Sequence, residues 1–276
     1  MSGGSRVALV TGGSKGVGQG IAVGLAESGW TVHVSGRDRE RLQATVDRVG
    51  AAGGTGHAHT CEHTDDDDVR RLVTEVHDHA GRLDLLVNNA WAGPPMNHVT
   101  PEKFWERPLS DWDTLIGVGL RAHYVATHVA APLMVARRTG LVINISSVGT
   151  RAYLHSTLYG ISKAGLDKLT HDAALELREH GVTVLSLWPG LVRTEKLLAS
   201  GVDNIAGVSV SDTETPELQG RVLAAIAADP DLHRRTGGVV ITAEAAAELG
   251  IVEPGGGTPV SPRRMFGGGP IFPPLP

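Results

Sequence analysis

The sequence predicts an α/β fold in which a doubly wound parallel sheet carries helices on both faces. Short apolar runs rich in β-branched residues alternate along the chain with longer stretches whose apolar residues recur at helical spacing. A helix after a strand supplies the crossover that the next parallel strand needs. At 276 residues, the chain is long enough for one large domain of this class.

The elements can be placed in order from these patterns. Strands are predicted at 7–10, 30–35, 82–89, 140–147, 182–188 and 238–241. Helices are predicted after the first strand, at 39–51, from Asp65, at 111–137, around Tyr159, at 216–228 and at 243–249. Repeated alternation of this kind is typical of doubly wound sheets.

A glycine-rich turn joins the first strand to the first helix, with glycines at Gly12, Gly13, Gly16 and Gly18. Glycine lets the backbone turn sharply and lets a pyrophosphate approach it. The helix that opens near Gly16 would point free N–H groups and the positive end of its dipole at that anion. The turn therefore predicts a dinucleotide site, with an ordinary glycine-rich strand-to-helix turn as the alternative.

Two cations stand where the ribose of a dinucleotide would lie. The second strand ends in Gly36-Arg37 rather than in an acidic residue that would bond the ribose 2′-hydroxyl, and Lys15 lies in the glycine turn. Arg37 and Lys15 together can meet a 2′-phosphate, which favours NADP(H) over NAD. Two exposed surface cations are the alternative.

Histidines and a cysteine alternate at His57, His59, Cys61 and His63, so that on a strand they would share one face. Ligands at every second residue of one strand converge poorly on a tetrahedral ion. An ordinary strand is therefore the favoured interpretation, and no metal is expected.

A serine, a tyrosine and a lysine carry the predicted chemistry. Ser147 closes a predicted strand, and Tyr159 and Lys163 are spaced to share one helix face. A phenol titrates near ~10, so Tyr159 needs a neighbouring cation to act as an acid or base near neutral pH, and Lys163 is that cation. Ser147 could bond a carbonyl oxygen while Tyr159 protonates it. A chance spacing of tyrosine and lysine is the alternative.

The order of these motifs resembles the Tyr-xxx-Lys branch of the short-chain dehydrogenase/reductase family. The resemblance covers residues 5 to about 252 and is carried by Thr11-Gly12…Gly16…Gly18, Asn88-Asn89-Ala90, Ser147, Tyr159…Lys163 and Pro189-Gly190…Thr194. It implies a single Rossmann-like domain, NADP(H) as cofactor, and hydride transfer between nicotinamide and a hydrophobic ketone or aldehyde. It also implies a homodimer or homotetramer.

The resemblance further implies a role for individual residues. Ser147, Tyr159 and Lys163 would be catalytic, and Lys163 would also bond the nicotinamide ribose. The residues expected at the cofactor are Gly12, Ser14, Lys15, Gly16, Val17, Gly18, Arg37, Glu62, His63, Asn89, Ala90, Trp91, Tyr159, Lys163, Pro189, Gly190, Val192 and Thr194. Those expected at the substrate are Trp91, His155 and Leu191, with Pro94 and Met96 as further candidates for the pocket wall.

Two positions depart from the family pattern. Trp91 replaces the glycine usual after Asn-Asn-Ala, and Gly119 replaces an asparagine that supports a water in the family's proton relay. Gly119 leaves the relay route open and favours an alternative function, a sensor that binds NADP(H) without turnover. The intact Ser147, Tyr159 and Lys163 favour the enzyme.

Composition points away from several other classes of protein. The net charge of −5, with basic residues scattered along the chain, does not indicate nucleic-acid binding. Cys61 is the single cysteine, so no internal disulfide can form. No apolar run is long enough to span a membrane, and we expect a cytoplasmic protein.

The chain divides into a domain and a tail. We expect residues 1–253 to form the NADP-binding domain and residues 254–276 to form a Gly/Pro-rich tail without periodicity. Within the domain, residues 191–215 have few apolar anchors and many small residues, which is typical of a lid that orders over a bound substrate.

Overall fold

The computed structural model describes residues 5–93, 102–205 and 207–263. Its helices and strands are β1 (Val7–Thr11), α1 (Gly16–Ala26), β2 (Thr31–Gly36), α2 (Arg39–Ala51), β3 (Thr55–Thr60), α3 (Asp66–Ala80), β4 (Leu85–Asn88), α4 (Ser110–Leu115), α5 (Ala122–Arg137), β5 (Gly140–Ile145), α6 (Thr157–Leu177), β6 (Val182–Trp188), α7 (Glu195–Ala199), β7 (Asn204–Ile205), β8 (Val208–Ser209), α8 (Pro216–Ala228), β9 (Val239–Ile241) and α9 (Thr242–Glu248). The expected residues Pro94 and Met96, and the tail beyond Arg263, lie outside the described ranges.

The main sheet has seven parallel strands in the order β3-β2-β1-β4-β5-β6-β9. Strands β2 and β3 are added on one side of β1, whereas β4 and the later strands of the sheet lie on the other side. The order in which strands are added therefore reverses between β1 and β4. In open α/β sheets, ligands bind in the crevice at the carboxyl ends of the strands beside such a reversal. The prediction of a doubly wound parallel sheet with helices on both faces is confirmed.

Alternate residues of the strands face two large hydrophobic cores. In β1, Ala8 and Val10 belong to the core that α1 and α8 cover, whereas Val7 and Leu9 belong to the core that α3 and α5 cover. Burial on both faces explains why these strands are almost continuously apolar. The sheet is thereby fixed between two helical layers.

Helix α1 lies unusually close to α8 because small residues line their contact. A Cβ on Gly20 would come 2.2 Å from the carbonyl carbon of Pro216, and one on Gly24 would come 2.3 Å from the carbonyl oxygen of Glu217. Any larger side chain would push the helices apart, so this packing fixes the position of the first turn of α1.

The helix predicted at 111–137 is divided in the structure. A π-helical turn, Gly117–Arg121, separates α4 from α5. Turns of this kind interrupt a helix where local packing requires it, often at functional sites. The sequence period stays helical through the interruption, so the pattern could not reveal it.

The expectation of one strand face for the residues at 57–63 is wrong for its second half. Strand β3 ends at Thr60, so Cys61 and His63 lie beyond it. The His63 ring turns inward, with Nε2 3.2 Å from Ser35 Oγ and Nδ1 3.9 Å from Cys61 Sγ. Among the described residues, no group of three or more His, Cys, Asp or Glu side chains is arranged to hold a metal ion.

The histidines of the neighbouring strands β2 and β3 instead form a cluster with a histidine at the end of α3. This histidine cluster consists of His33, His57, His59 and His79. His33 and His57 stack with ring centroids 4.6 Å apart, and Nδ1 of His33 lies 2.8 Å from Nε2 of His59. Burial lowers the pKa of His33 to about 3, so the cluster is neutral at its centre.

The described ranges contain no helix that is both long and apolar enough to cross a membrane.

Candidate active site

Ser147 lies just beyond β5, at the carboxyl edge of the sheet. Its buried Oγ accepts a hydrogen bond from the backbone N–H of Gly149 at 3.0 Å and caps the short 3₁₀ turn Val148–Thr150. This capping bond uses Oγ as an acceptor and leaves the hydroxyl proton available to a carbonyl oxygen.

Tyr159 lies in the first turn of α6, where its backbone N–H donates to Ser156 Oγ at 3.2 Å. Its side chain is hydrogen-bonded to that of Ser147. Burial raises the pKa of Tyr159, and the bond to Ser147 acts in the opposite direction. Without a stabilising cation, the phenol therefore keeps its proton, as a proton donor must.

Lys163 follows one helical turn later and is buried. Its Nζ donates a hydrogen bond to the carbonyl oxygen of Ile145 at 2.8 Å and lies 5.7 Å from the centroid of the Tyr159 ring. Burial lowers the pKa of Lys163 to about 8, against the attraction of Asp167. The structure therefore brings the three predicted catalytic side chains together from β5 and α6.

His155 stands against the tyrosine. The two rings meet edge to face with centroids 4.8 Å apart, and His155 has a φ of 61°, which residues with a side chain rarely adopt. Strained backbone of this kind is concentrated at functional sites. The His155 ring therefore lies next to the candidate proton donor.

The glycine turn packs against the end of β4. A Cβ on Gly12 would lie 2.7 Å from Ala90 Cα, so only glycine allows this approach. Asn89 Nδ2 donates to the carbonyl oxygens of Thr11 and Gly12 at 2.9 and 3.1 Å. Thr11 Oγ1 in turn accepts from the backbone N–H groups of Asn89 and Ala90 at 2.9 and 3.0 Å. Asn89 and Thr11 therefore hold the turn in shape, and Thr11 was named from the sequence only as part of the glycine motif.

An anion already sits at the first turn of α1. The Gly16 N–H donates to both carboxylate oxygens of Glu195, at 3.0 and 3.2 Å. Glu195 opens α7 directly after Thr194, whose Cγ2 would lie 3.6 Å from a Cβ on Gly16. The Glu195 carboxylate stands where a phosphate oxygen would accept the same N–H, so this turn fits the pyrophosphate of a dinucleotide. Sequence analysis missed Glu195.

A cleft of about 540 Å³ opens beside this turn between α1, α2 and α7. Its lining includes Ser14, Lys15, Gly16, Arg48, Arg193 and Glu195. Four basic side chains in all line the cleft, since Arg41 joins Lys15, Arg48 and Arg193, and cations of this kind suit a phosphate-bearing ligand.

The end of β2 adjoins the same turn. Ser14 Oγ would lie 3.5 Å from a Cβ on Gly36, so Lys15 and Arg37 border one region. The exposed Arg37 guanidinium lies 3.7 Å from the Glu62 carboxylate, which also accepts from the backbone and hydroxyl of Thr64. Arg37 is thus held near the strand end by a weak surface pair.

His63, one of the residues expected at the cofactor, has a buried ring that faces other protein groups. Both ring nitrogens face protein partners, and burial lowers the pKa of His63 to about 4, so the ring is neutral and occupied. A cofactor contact at this position would come through its backbone.

The two departures from the family pattern are neighbours in space. Trp91 Cδ1 would lie 3.4 Å from a Cβ on Gly119, and its Nε1 would lie 3.8 Å away. Gly119 belongs to the π-helical turn, and these distances are ordinary van der Waals contacts, so the indole borders the position that a side chain at residue 119 would take. The two departures, which lie apart in the sequence, are therefore neighbours in the structure.

The segment Pro189–Thr194 is hydrogen-bonded to the backbone of Glu214. Leu191 accepts from the Glu214 N–H at 2.8 Å, Arg193 donates to the Glu214 carbonyl at 2.9 Å, and Val192 bridges to Glu214. A Cβ on Gly190 would lie 2.7 Å from Glu214 Oε1. Burial raises the pKa of Glu214 to about 8, so this carboxyl is protonated at neutral pH.

Comparison with known proteins adds independent information. The family model described as short chain dehydrogenase matches residues 6–201. Over 257 residues the chain is 39% identical to human dehydrogenase/reductase SDR family member 1, covering 89% of this chain and 82% of that protein. It is 35% identical over 191 residues to a 3-oxoacyl-(acyl-carrier-protein) reductase of Staphylococcus aureus, covering 68% and 75%.

Solved structures of short-chain oxidoreductases also superpose on this chain. A metagenomic short-chain oxidoreductase in complex with NADP superposes with a TM-score of 0.70 at 32% identity, covering 86% of this chain and 95% of the other. A short-chain type dehydrogenase/reductase from Mycobacterium ulcerans superposes with a TM-score of 0.75 at 26% identity, covering 87% and 89%.

Proposed function

The chain belongs to the short-chain dehydrogenase family, and from that premise we propose that it is an NADPH-dependent carbonyl reductase. It transfers hydride reversibly between nicotinamide and a hydrophobic ketone or aldehyde, with Tyr159 as the general acid and base. The observation that carries this proposal is the convergence of Ser147, Tyr159 and Lys163 at the carboxyl ends of the parallel strands, the end of the sheet at which the glycine turn also lies.

Each of the three side chains has a step in this proposal. When bound, the nicotinamide would supply the hydride that the carbonyl carbon accepts. Ser147 donates its hydroxyl hydrogen bond to the carbonyl oxygen and holds it near the phenol. Tyr159 gives its proton to that oxygen as negative charge develops there. The Lys163 cation stabilises the phenolate that remains, which offsets the burial that otherwise disfavours it.

The proposal extends to the surroundings of the site. Residues 191–215 act as the lid of a domain spanning residues 1–253, and the protein works as a homodimer or homotetramer in the cytoplasm. Trp91, His155 and Leu191 border the substrate, since Trp91 lies at the π-helical turn and His155 packs on Tyr159. Residues 254–276 form the tail.

Cofactor preference gives the first test. We expect oxidation of NADPH, followed by its absorbance, with one or more compounds from a panel of hydrophobic ketones, quinones and aldehydes, and weaker turnover with NADH. Replacing both cations, Lys15→Ala with Arg37→Ala, should raise the KM for NADPH about 10- to 100-fold. This corresponds to a total loss of about 1.4–2.7 kcal/mol for the charge-assisted bonds from two exposed side chains to one phosphate.

The control for this test is Arg70→Ala, which removes an exposed arginine on α3. Arg70→Ala should leave the KM for NADPH and for NADH unchanged, and the double variant should leave the KM for NADH nearly unchanged. If the double variant raised the KM for NADPH and the KM for NADH by the same factor, the role of Lys15 and Arg37 in binding the 2′-phosphate would be contradicted. If NADPH binds and the whole panel is inert, the sensor function is favoured.

The Glu195 contact gives a second prediction. The Glu195 carboxylate competes with the cofactor phosphate for the Gly16 N–H, so Glu195→Gln should lower the Kd for NADPH about 2- to 5-fold. This factor corresponds to the interaction of a negative charge with a helix N-terminus, which is worth about 0.3–1 kcal/mol. Fluorescence titration measures the change. The matched control is Glu179→Gln, an exposed carboxylate elsewhere, and weaker binding by Glu195→Gln would refute the competition.

A further inference from the structure

Asp167 is a buried carboxylate that the catalytic steps above do not use. It lies on α6 one turn beyond Lys163, and only 2% of its surface is exposed. An unpaired carboxylate in such a position would be strongly unfavourable, so its partners show what it does. Sequence analysis missed it, because an aspartate within a helix carries no local signal.

Four side chains hydrogen-bond this carboxylate, and they belong to Ser146, Thr150, Ser186 and Trp188. Thr150 Oγ1 donates to Oδ2 at 3.0 Å, Trp188 Nε1 lies 3.3 and 3.2 Å from the two oxygens, and Ser186 Oγ donates to Oδ1. The indole N–H can only donate, and it reaches both oxygens, which suits the ionised form. Burial raises the pKa of Asp167, while these donors lower it.

The partners of Asp167 come from three segments of the site. Thr150 ends the 3₁₀ turn that Ser147 caps. Ser186 and Trp188 lie at the end of β6, which leads directly into Pro189 and the segment after it. A single carboxylate therefore ties the serine turn, the helix of Tyr159 and Lys163, and the strand before the expected nicotinamide contacts.

The negative charge also acts on Lys163. Burial lowers the pKa of Lys163 to about 8, and the attraction of Asp167 raises it. In the described ranges, the other titratable groups that face Lys163 are Tyr159 on the same helix and His123 on α5. His123 is neutral because burial lowers its pKa to about 3, and a neutral phenol carries no charge, so neither replaces Asp167.

We propose that Asp167 is a positioning residue, which keeps Lys163 cationic through neutral pH and aligns the Ser147 turn with the end of β6. The inference rests on the proposed function, because it deepens the role of Lys163 in the same site. Asp167 touches neither substrate nor cofactor in this assignment and acts through its neighbours.

The test is the pH profile of kcat in Asp167→Asn. Loss of the carboxylate charge should move the alkaline limb about 1 pH unit lower, because an opposite charge at close range shifts a pKa by about 1–3 units. Thr150→Val is the matched control, since it removes a hydrogen bond to the same carboxylate and keeps the charge. Its alkaline limb should stay in place, even if its kcat falls.

Two results would overturn the proposal. One is an Asp167→Asn profile with the wild-type limb, and the other is an equal displacement in Thr150→Val, which would indicate a purely structural role. A second measurement does not depend on turnover or on a variant of Asp167 that folds. Lysine ¹³Cε NMR of the wild-type protein, with the Lys163 signal identified by its absence in Lys163→Met, should show a titration near 8.

A Lys163 signal that titrates below neutral pH would refute the proposal by itself. This NMR result is separate from the proposed function, which fails instead if Tyr159→Phe remains active. The two failures can therefore be told apart.

Discussion

Replacing Tyr159 with phenylalanine should lower kcat by at least about 100-fold, since a positioned general acid contributes about 10²–10⁴ to the rate. Phenylalanine keeps the ring that packs against His155 but removes the hydroxyl bonded to Ser147. The Kd for NADPH should stay within a few-fold, because the glycine turn and its cations are untouched. Steady-state turnover and fluorescence titration on the same preparation measure both effects.

The matched control is Tyr153→Phe. Tyr153 is 66% exposed and lies a short distance before Tyr159 in the chain, so its hydroxyl should be dispensable. Wild-type turnover in Tyr159→Phe would exclude the phenol as proton donor and with it the proposed mechanism. A parallel loss of cofactor binding would point to damage of the fold.

Mild acid should destabilise the protein strongly. Burial lowers the pKa of His33 to about 3, of His63 to about 4 and of His123 to about 3. Below a pH near 6.5, the unfolded chain takes up protons that the folded chain cannot, so stability is complete above that pH and falls as the pH drops toward the folded values. Each group contributes about 2 kcal/mol of this loss at about pH 5.

Three such groups together approach the ~5–15 kcal/mol by which proteins are usually stable. Urea unfolding followed by circular dichroism should therefore show a midpoint that falls steeply between about pH 7 and pH 5. His33→Leu should flatten this dependence by about one third. The exposed His180→Gln should leave it unchanged, and a flat wild-type profile would contradict the neutral state of the buried rings.

Most of the strands and helices could be predicted from local patterns in the sequence. The apolar runs at β1, β5 and β6 predict strands because both faces of each strand are buried. The predicted bounds of β6 agree with the structure, and those of β1 and β5 differ from it by one and two residues. The π-helical turn Gly117–Arg121 was beyond reach, since it keeps the apolar period of the helices beside it. The end of β3 before Cys61 was also missed, because the alternation of histidines continued past it.

The candidate site also has features that the sequence predicts and features that depend on tertiary contacts. The spacing of Tyr159 and Lys163 determines by itself that they share a helix face, since a helix repeats every 3.6 residues. The strand-terminal place of Ser147 and the glycines that open α1 are equally local, so the sequence determined which side chains and which turn are available for chemistry.

Only the tertiary structure decided what surrounds them. The carboxylate of Glu195 at Gly16, the indole of Trp91 against Gly119 and the bonds of Asp167 to Trp188 join residues far apart in the chain. Such contacts depend on how sheet and helices pack, and no local pattern encodes them. Burial, and with it the protonation of Lys163 and the histidines, follows from the same packing, because desolvation exists only once the chain has closed around the group.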